Sequence, residues 1–271
     1  MLALRSVSVR KGPATLLDGL SLEVAPGEVV AIVGPNGAGK TTALRVLAGE
    51  TPPTDGAAHL NVQPLAALAP RDLARQRAVL PQQSALAFAF SVLDVVLLGR
   101  TPHAAPHADD LAAAERAMRR AGVLHLAARR YPTLSGGEQQ RVHLARALAQ
   151  LDGGAEARYL LLDEPTSALD LAHQHAVLRV ARAEATAGVG VLAVLHDLNL
   201  AAQYADRIAV LAAGKLVAVG TAEAVLTPAV VRCAFGISVV VTQNPCAACP
   251  LVVPVPESGD GFPFESLPVL L

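Results

Sequence analysis

The stretch Gly34-Pro35-Asn36-Gly37-Ala38-Gly39-Lys40-Thr41-Thr42 decides the fold. It fits the pattern GxxxxGK[ST], a loop whose backbone N–H groups cradle phosphates. Residues 28–33 before it, Glu-Val-Val-Ala-Ile-Val, read as a buried parallel strand. Residues 40–48 after it read as a helix ending near Gly49. Strand, glycine-rich loop and helix, in that order, is the context the pattern needs. The N–H groups of residues 34–40 would form a nest for β- and γ-phosphates, backed by the helix N-terminus. Gly37 and Gly39 allow an approach that a Cβ would block. Lys40 places a cation on the phosphate oxygens, Thr41 offers its hydroxyl to Mg²⁺, and Thr42 assists at the phosphates.

The bulk properties narrow the classes. The chain has 271 residues, 52% of them hydrophobic, enough for a large core. A net charge of −1 supplies no field to attract nucleic acid, so no nucleic-acid partner is expected. Three cysteines, Cys233, Cys246 and Cys249, are too few and odd in number for a disulfide framework, which points to a reducing cytoplasm. Residues 1–6 lack the apolar core of a signal peptide. No apolar run approaches the roughly 20 residues needed to cross a bilayer. Any membrane service is expected from the aqueous side, through a partner.

Along the chain, residues 2–24 alternate like strands, broken by a turn at Lys11-Gly12-Pro13. Residues 65–76 look helical, and 77–80 form a short strand ending at Pro81. Residues 91–150 are helix-rich and read as a helical subdomain inserted into an α/β core. Residues 159–162 and 189–195 return to buried-strand character; 171–186 and 198–205 read as helices; 208–219 reads as a hairpin turning at Gly214-Lys215. The expected fold class is α/β: a phosphate-loop NTPase core with this helical subdomain and an antiparallel N-terminal β subdomain, spanning 1–238. Residues 239–271 carry Pro245, Pro250, Pro254, Pro256, Pro263 and Pro268 and are expected to be an extended or loosely packed tail. Within it, Cys246 and Cys249 have the spacing of a metal or redox pair, but no second CxxC or nearby histidine completes a site.

Two further motifs add chemistry. Tyr159-Leu-Leu-Leu-Asp163-Glu164-Pro165 is an apolar strand ending in adjacent acids. Asp163 suits the magnesium-side acid of a phosphate-loop ATPase. Glu164, expected to face elsewhere because strand neighbours alternate, suits the general base that polarises the attacking water. Leu134-Ser135-Gly136-Gly137-Glu138-Gln139-Gln140 is a Ser-Gly-Gly turn opening a helix, hence an anion site.

Taken together these motifs resemble the ATP-binding subunits of ABC transporters. Leu134 to Gln140 is similar to that family's signature, and Asp163 to Asp170 to its hydrolysis strand and D-loop. Val194-Leu-His196-Asp197 is similar to its switch histidine, and Gln82, after Leu80-Pro81, to its Q-loop. The resemblance covers roughly residues 2–235, with the motifs in the family's order. It implies a head-to-tail homodimer in which ATP on loop 34–42 of one chain is capped by Ser135, Gly136, Gly137 and Glu138 of the other. It also implies that Gln82 senses Mg²⁺ and the attacking water, that His196 holds the γ-phosphate and Glu164 together, and that Asp170 lies along the dimer interface. The remaining histidines His103, His107, His125, His143, His173 and His175 match nothing comparable and are expected at the surface. The family's usual adenine-stacking aromatic is missing: this chain has Val9-Arg10-Lys11-Gly12 there, leaving the Arg10 guanidinium or an apolar contact from Val9.

Residues 79–103, 139–150 and 168–174, with a short insert at 151–157, resemble the importers of iron chelates, haem and cobalamin, and most of all the haemin-import ATPases. That resemblance implies a transmembrane permease dimer, a periplasmic or surface substrate-binding protein acting through it, and a peripheral place on the cytoplasmic face of the inner membrane. Ferric-siderophore or cobalamin import, and a soluble non-transport ABC ATPase, are the alternatives. Phe88 and Phe90 are expected to line a groove that receives a short permease helix.

Overall fold

The computed structural model describes residues 1–82, 90–153, 157–167 and 169–256. Strands β1 (Leu2–Lys11) and β2 (Ala14–Val24) form an antiparallel pair around the turn at Gly12. Next come β3 (Val29–Val33), α1 (Lys40–Leu47), and the strands β4 (Asp55–Leu60) and β5 (Gln63–Pro64). The sheet order β2-β1-β4-β5 is antiparallel throughout, as expected for the N-terminal subdomain.

The helix expected over 65–76 is interrupted. Leu65–Ala67 makes one 3₁₀ turn, and α2 (Pro70–Gln76) starts afresh. Pro70 has no N–H and fits the first helical position. It also forces Ala69 into extended backbone, with ψ 139, so no helix crosses that point.

After β6 (Arg77–Leu80) come α3 (Val92–Leu97), α4 (His107–Arg120) and α5 (Gly136–Leu151), which pack on one another as the inserted helical subdomain. Ser91 caps α3 by accepting the Asp94 N–H at 3.1 Å, while Asp94 accepts the Ser91 N–H at 3.0 Å. Helix α4 opens with Asp109 and Asp110 and closes with Arg119 and Arg120, matching its dipole at both ends.

The chain then re-enters the core through β7 (Tyr159–Asp163), α6 (Leu171–Thr186), β8 (Gly190–Val194), α7 (Leu198–Tyr204), β9 (Arg207–Ala212) and β10 (Lys215–Gly220). The central sheet runs β10-β9-β3-β8-β7-β6. All its pairings are parallel except that of β10, the antiparallel edge. Every residue of β3, β7 and β8 is buried. Alternate residues serve two cores: Val29, Ala31 and Val33 join the helical-subdomain side, and Val30 and Ile32 join the side of β1, β2 and α1.

Helices α8 (Ala222–Val225) and α9 (Pro228–Phe235) follow. The proline-rich segment departs from expectation as far as residue 256. Strands β11 (Val239–Gln243) and β12 (Pro250–Pro254) pair as a hairpin, and Val239, Cys249 and Val252 are buried in the main core. The loop-closing bond from the Asn244 N–H to the Cys249 carbonyl sets the alternation of the ladder. Residues 250, 252 and 254 then turn their backbone groups away from β11. Pro250 and Pro254 therefore cost no ladder bond, which is how proline is tolerated in an edge strand. Residues 257–271 lie outside the described residues.

Leu161, fully buried at the centre of β7, reports on this core. Leu161→Ala is expected to cost about 2–5 kcal/mol through lost transfer energy and the cavity left behind. Urea unfolding followed by circular dichroism checks it.

Candidate functional site

Four parallel strands deliver the sequence motifs to one edge of the sheet. Loop 34–39 leaves β3, Gln82 follows β6, Asp163 ends β7 with Glu164 directly after it, and His196 follows β8. Carboxyl ends of adjacent parallel strands lie together, and ligands of open α/β sheets bind in the crevice outside them. Here that crevice is a cleft of about 200 Å³ lined by Leu16, Asn36, Gly37, Ala38, Gly39, Lys40, Thr41, Thr42 and Glu164.

The loop keeps its shape through glycine. Gly34 has φ +155 and Gly39 φ +96. A Cβ on Gly34 would collide with the Leu211 carbonyl oxygen, and one on Gly39 would sit 2.6 Å from the Leu16 carbonyl oxygen. Lys40, 5% exposed, donates to the carbonyls of Gly34 at 2.8 Å and Pro35 at 2.9 Å. Burial pulls its ammonium below the ordinary lysine range, opposed by the charges of Glu164 and Asp163.

Beside it the Thr41 hydroxyl donates to Asp163 at 3.1 Å. Burial pushes the Asp163 carboxyl above its usual range, the Thr41 bond opposes this, and the Glu164 charge adds to it. A buried, poorly neutralised carboxylate next to a hydroxyl fits a divalent cation that also holds phosphate oxygens, since Mg²⁺ takes few protein ligands at such sites.

Glu164 is the centre of the polar cluster. Gln82 Nε2 donates to its Oε2 at 2.6 Å, and His196 Nε2 meets its Oε1 at 2.7 Å. Strand alternation does not explain its direction, because β7 stops at Asp163. Glu164 has φ +49, a left-handed conformation rare for a residue with a side chain, and this turns it out of the strand line. Its carbonyl accepts from the Ser167 N–H at 3.1 Å and the Ser167 hydroxyl at 2.9 Å, which closes the turn. Backbone strain held by its surroundings often marks a functional position.

The signature stands apart. Ser135, Gly136, Gly137 and Glu138 begin α5, and none of them lines the cleft. Ser135 and Glu138 form a reciprocal cap, with Glu138 Oε2 accepting both the N–H and the hydroxyl of Ser135 at 2.8 Å. Asp170 likewise lies outside the cleft; it is exposed, caps α6 through the His173 N–H at 2.9 Å, and pairs with the His173 ring at 2.7 Å. Within one chain, the phosphate loop is matched with Gln82, Asp163, Glu164 and His196, but not with the signature or Asp170.

Other placements differ from the sequence reading. His143 is buried, not at the surface, with its Nε2 2.7 Å from the Tyr131 hydroxyl. His103 and His175 are half-buried, bonded to the Gln150 carbonyl and the Tyr204 hydroxyl. Val9 is buried in the β-subdomain core, Arg10 is paired with Asp55 at 3.3 Å, and Leu16 is the largest apolar side chain among those lining the cleft. Residue type alone gave no signal for Leu16. Among the described residues, no group of three or more His, Cys, Asp or Glu side chains is placed to hold a metal, and Cys246 is exposed while Cys249 is buried. Phe88 lies outside the described residues; Phe90 is partly exposed at the entrance to the helical subdomain. No described helix is long and apolar enough to cross a membrane.

The description "ABC transporter" matches residues 17–167, more than half of the chain. The chain belongs to the ABC transporter family. Among its relatives is the "Hemin import ATP-binding protein HmuV" of Gloeobacter violaceus, 52% identical over 271 residues and covering 98% of both chains. A solved chain described as a metal-chelate type ABC transporter in an inward-facing conformation is 28% identical, with a TM-score of 0.79 over 94% of this chain and 98% of that one. A bacterial ABC transporter cassette solved as a dimer is 27% identical, with a TM-score of 0.71 over 82% and 98%. As an ABC cassette, the chain has the expected phosphate-loop α/β fold and binds nucleotide.

Asp163, with its raised carboxyl, yields a stability test. Its folded-state carboxyl is raised, so ionisation is a cost that the fold carries above the unfolded-state value and loses below it. Asp163→Asn is expected to raise the unfolding midpoint of the nucleotide-free chain at pH 7. The gain should shrink as pH falls toward the ordinary carboxylate range. Thermal melts across pH 4–7 measure it.

Proposed function

We propose that the chain is the ATP-hydrolysing subunit of a haemin importer, working as a head-to-tail homodimer beneath a membrane permease. The observation that carries the hydrolytic part is the triangle at the phosphate loop: Gln82 and His196 both contact Glu164, at 2.6 and 2.7 Å, beside Lys40 and Thr41. The haemin part rests on the 52% identical relative of that printed function.

In this reading the N–H groups of residues 34–40 bind the β- and γ-phosphates and the Lys40 ammonium exchanges its loop carbonyls for phosphate oxygens. Thr41, Asp163 and Gln82 would hold Mg²⁺, which supplies charge neutralisation at the phosphates. Glu164 accepts the proton of the attacking water as general base. His196 orients Glu164 and reaches the γ-phosphate, while Gln82 reports on the occupant of the site. Leu16 provides apolar contact to the base.

The signature's absence from the cleft supports the dimer: a second chain brings Ser135, Gly136, Gly137 and Glu138 over the first chain's nucleotide, with Asp170 along the seam. A dimeric cassette among the solved relatives supports the same assembly. The permease partner and the peripheral position at the inner membrane follow from the importer reading, as does a substrate-binding protein delivering haemin from outside. The exposed Phe90 lies on the helical subdomain side and is offered to a permease segment, with Phe88 two positions earlier in the sequence.

The test is ATPase activity of the chain reconstituted with its permease and binding protein, offered haemin, a ferric siderophore or cobalamin. Stimulation by haemin alone is expected, and Glu164→Gln should lower hydrolysis by about 10²-fold or more while retaining ATP binding. Stimulation by another ligand discards haemin and keeps the motor; wild-type hydrolysis in Glu164→Gln discards the catalytic assignment. Phe90→Asp should leave the basal activity of the isolated chain unchanged and uncouple transport, which vesicle uptake assays would register.

A further inference from the structure

Between β8 and α7 the chain is pinned on either side of His196. The Leu195 N–H donates to the Ile32 carbonyl at 3.0 Å, tying this end of β8 to β3. Asp197 caps α7, its carboxylate accepting the N–H groups of Asn199 at 2.7 Å and Leu200 at 3.0 Å. This first turn has a second anchor from outside the helix. The Asn199 side chain reaches β12, donating from Nδ2 to the Val252 carbonyl at 3.2 Å and accepting the Val252 N–H on Oδ1 at 2.8 Å. Val252 is 5% exposed, and its backbone groups face away from β11. The Asn199 amide, one acceptor and a donor on a short stem, satisfies them as a neighbouring strand would.

We infer that Asn199 is a positioning residue for His196: the C-terminal hairpin holds the first turn of α7 through Asn199 and so fixes the His196–Glu164 contact. The inference rests on the hydrolytic role proposed for His196. Three features carry it. His196 is 46% exposed on its side chain, and its ring meets Glu164 at 2.7 Å. The cap that follows it, Asp197, bonds the N–H of the same Asn199 whose side chain is tied to β12. The hairpin has buried apolar contacts of its own at Val239, Cys249 and Val252, so it is a fixed support for the helix.

The experiment is steady-state ATPase kinetics of the full chain for Asn199→Ala, Asn199→Leu, Val252→Pro, the Asn199→Ala/Val252→Pro double variant and His196→Ala, with circular dichroism melts alongside. Asn199→Ala is expected to lower kcat about five- to tenfold with KM within about twofold, since two bonds are lost but no nucleotide contact is. Asn199→Leu, which keeps the side-chain volume without the amide, should do the same. The double variant should lose no more than the worse single one, because both remove one shared contact. Wild-type kcat in the folded Asn199 variants overturns the inference, as does a KM that rises in step with falling kcat, or losses that multiply. His196→Ala separates the two levels. Unimpaired hydrolysis there removes the role of His196 itself; hydrolysis abolished there but intact in Asn199→Ala removes only the inference.

Discussion

The parallel order of β9, β3, β8, β7 and β6 is the constraint on which the rest depends. Parallel strands in register end at one level, so residues far apart in sequence come to one edge. Asp163 stands opposite Val194, and Leu80 opposite Leu162. One residue of slip would send each strand's side chains to the other face and dissolve the cluster. The apolar side chains that lock this register, buried along the whole of β3, β7 and β8, thus act on the chemistry without touching it.

Within that frame, local devices aim each group. Glycine lets loop 34–39 wrap close to Leu211 and Leu16. The left-handed Glu164 turn, closed by Ser167, swings the carboxylate toward Gln82 and His196. Gln140 of α5 donates to the Pro165 carbonyl at 2.6 Å, and Gln174 of α6 donates to Thr166 and Leu169. The segment after Glu164 is therefore stitched to both flanking helices by hydrogen bonds as well as by packing.

Much of this was legible in the sequence, because phosphate binding and strand ends are written in short contiguous patterns: residues 34–42, 134–140, 159–170 and 194–197 each name their own structural context. What was not legible depends on distant partners. His143 is buried because Tyr131, on another segment, supplies a hydroxyl. Leu16 faces the cleft because β2 passes under Gly39. The β11–β12 hairpin was hidden because proline reads as a breaker, and only the ladder's alternation shows that Pro250 and Pro254 fall where no bond is lost. The direction of Glu164 was expected for a reason the backbone does not support, since a turn and not the strand's pleat sets it.

The bonds from Lys40 to Gly34 and Pro35 have a bearing on how the site empties. A lysine that satisfies itself on its own loop leaves no bare cation when the nucleotide goes. An anion must outbid two carbonyls before it gains the ammonium, and only a polyphosphate that fills the whole nest does so cheaply. Lone phosphate and ambient salt anions gain little there. The two carbonyls and any entering anion thus compete for one ammonium, and the loop's own geometry sets the threshold an anion must pass.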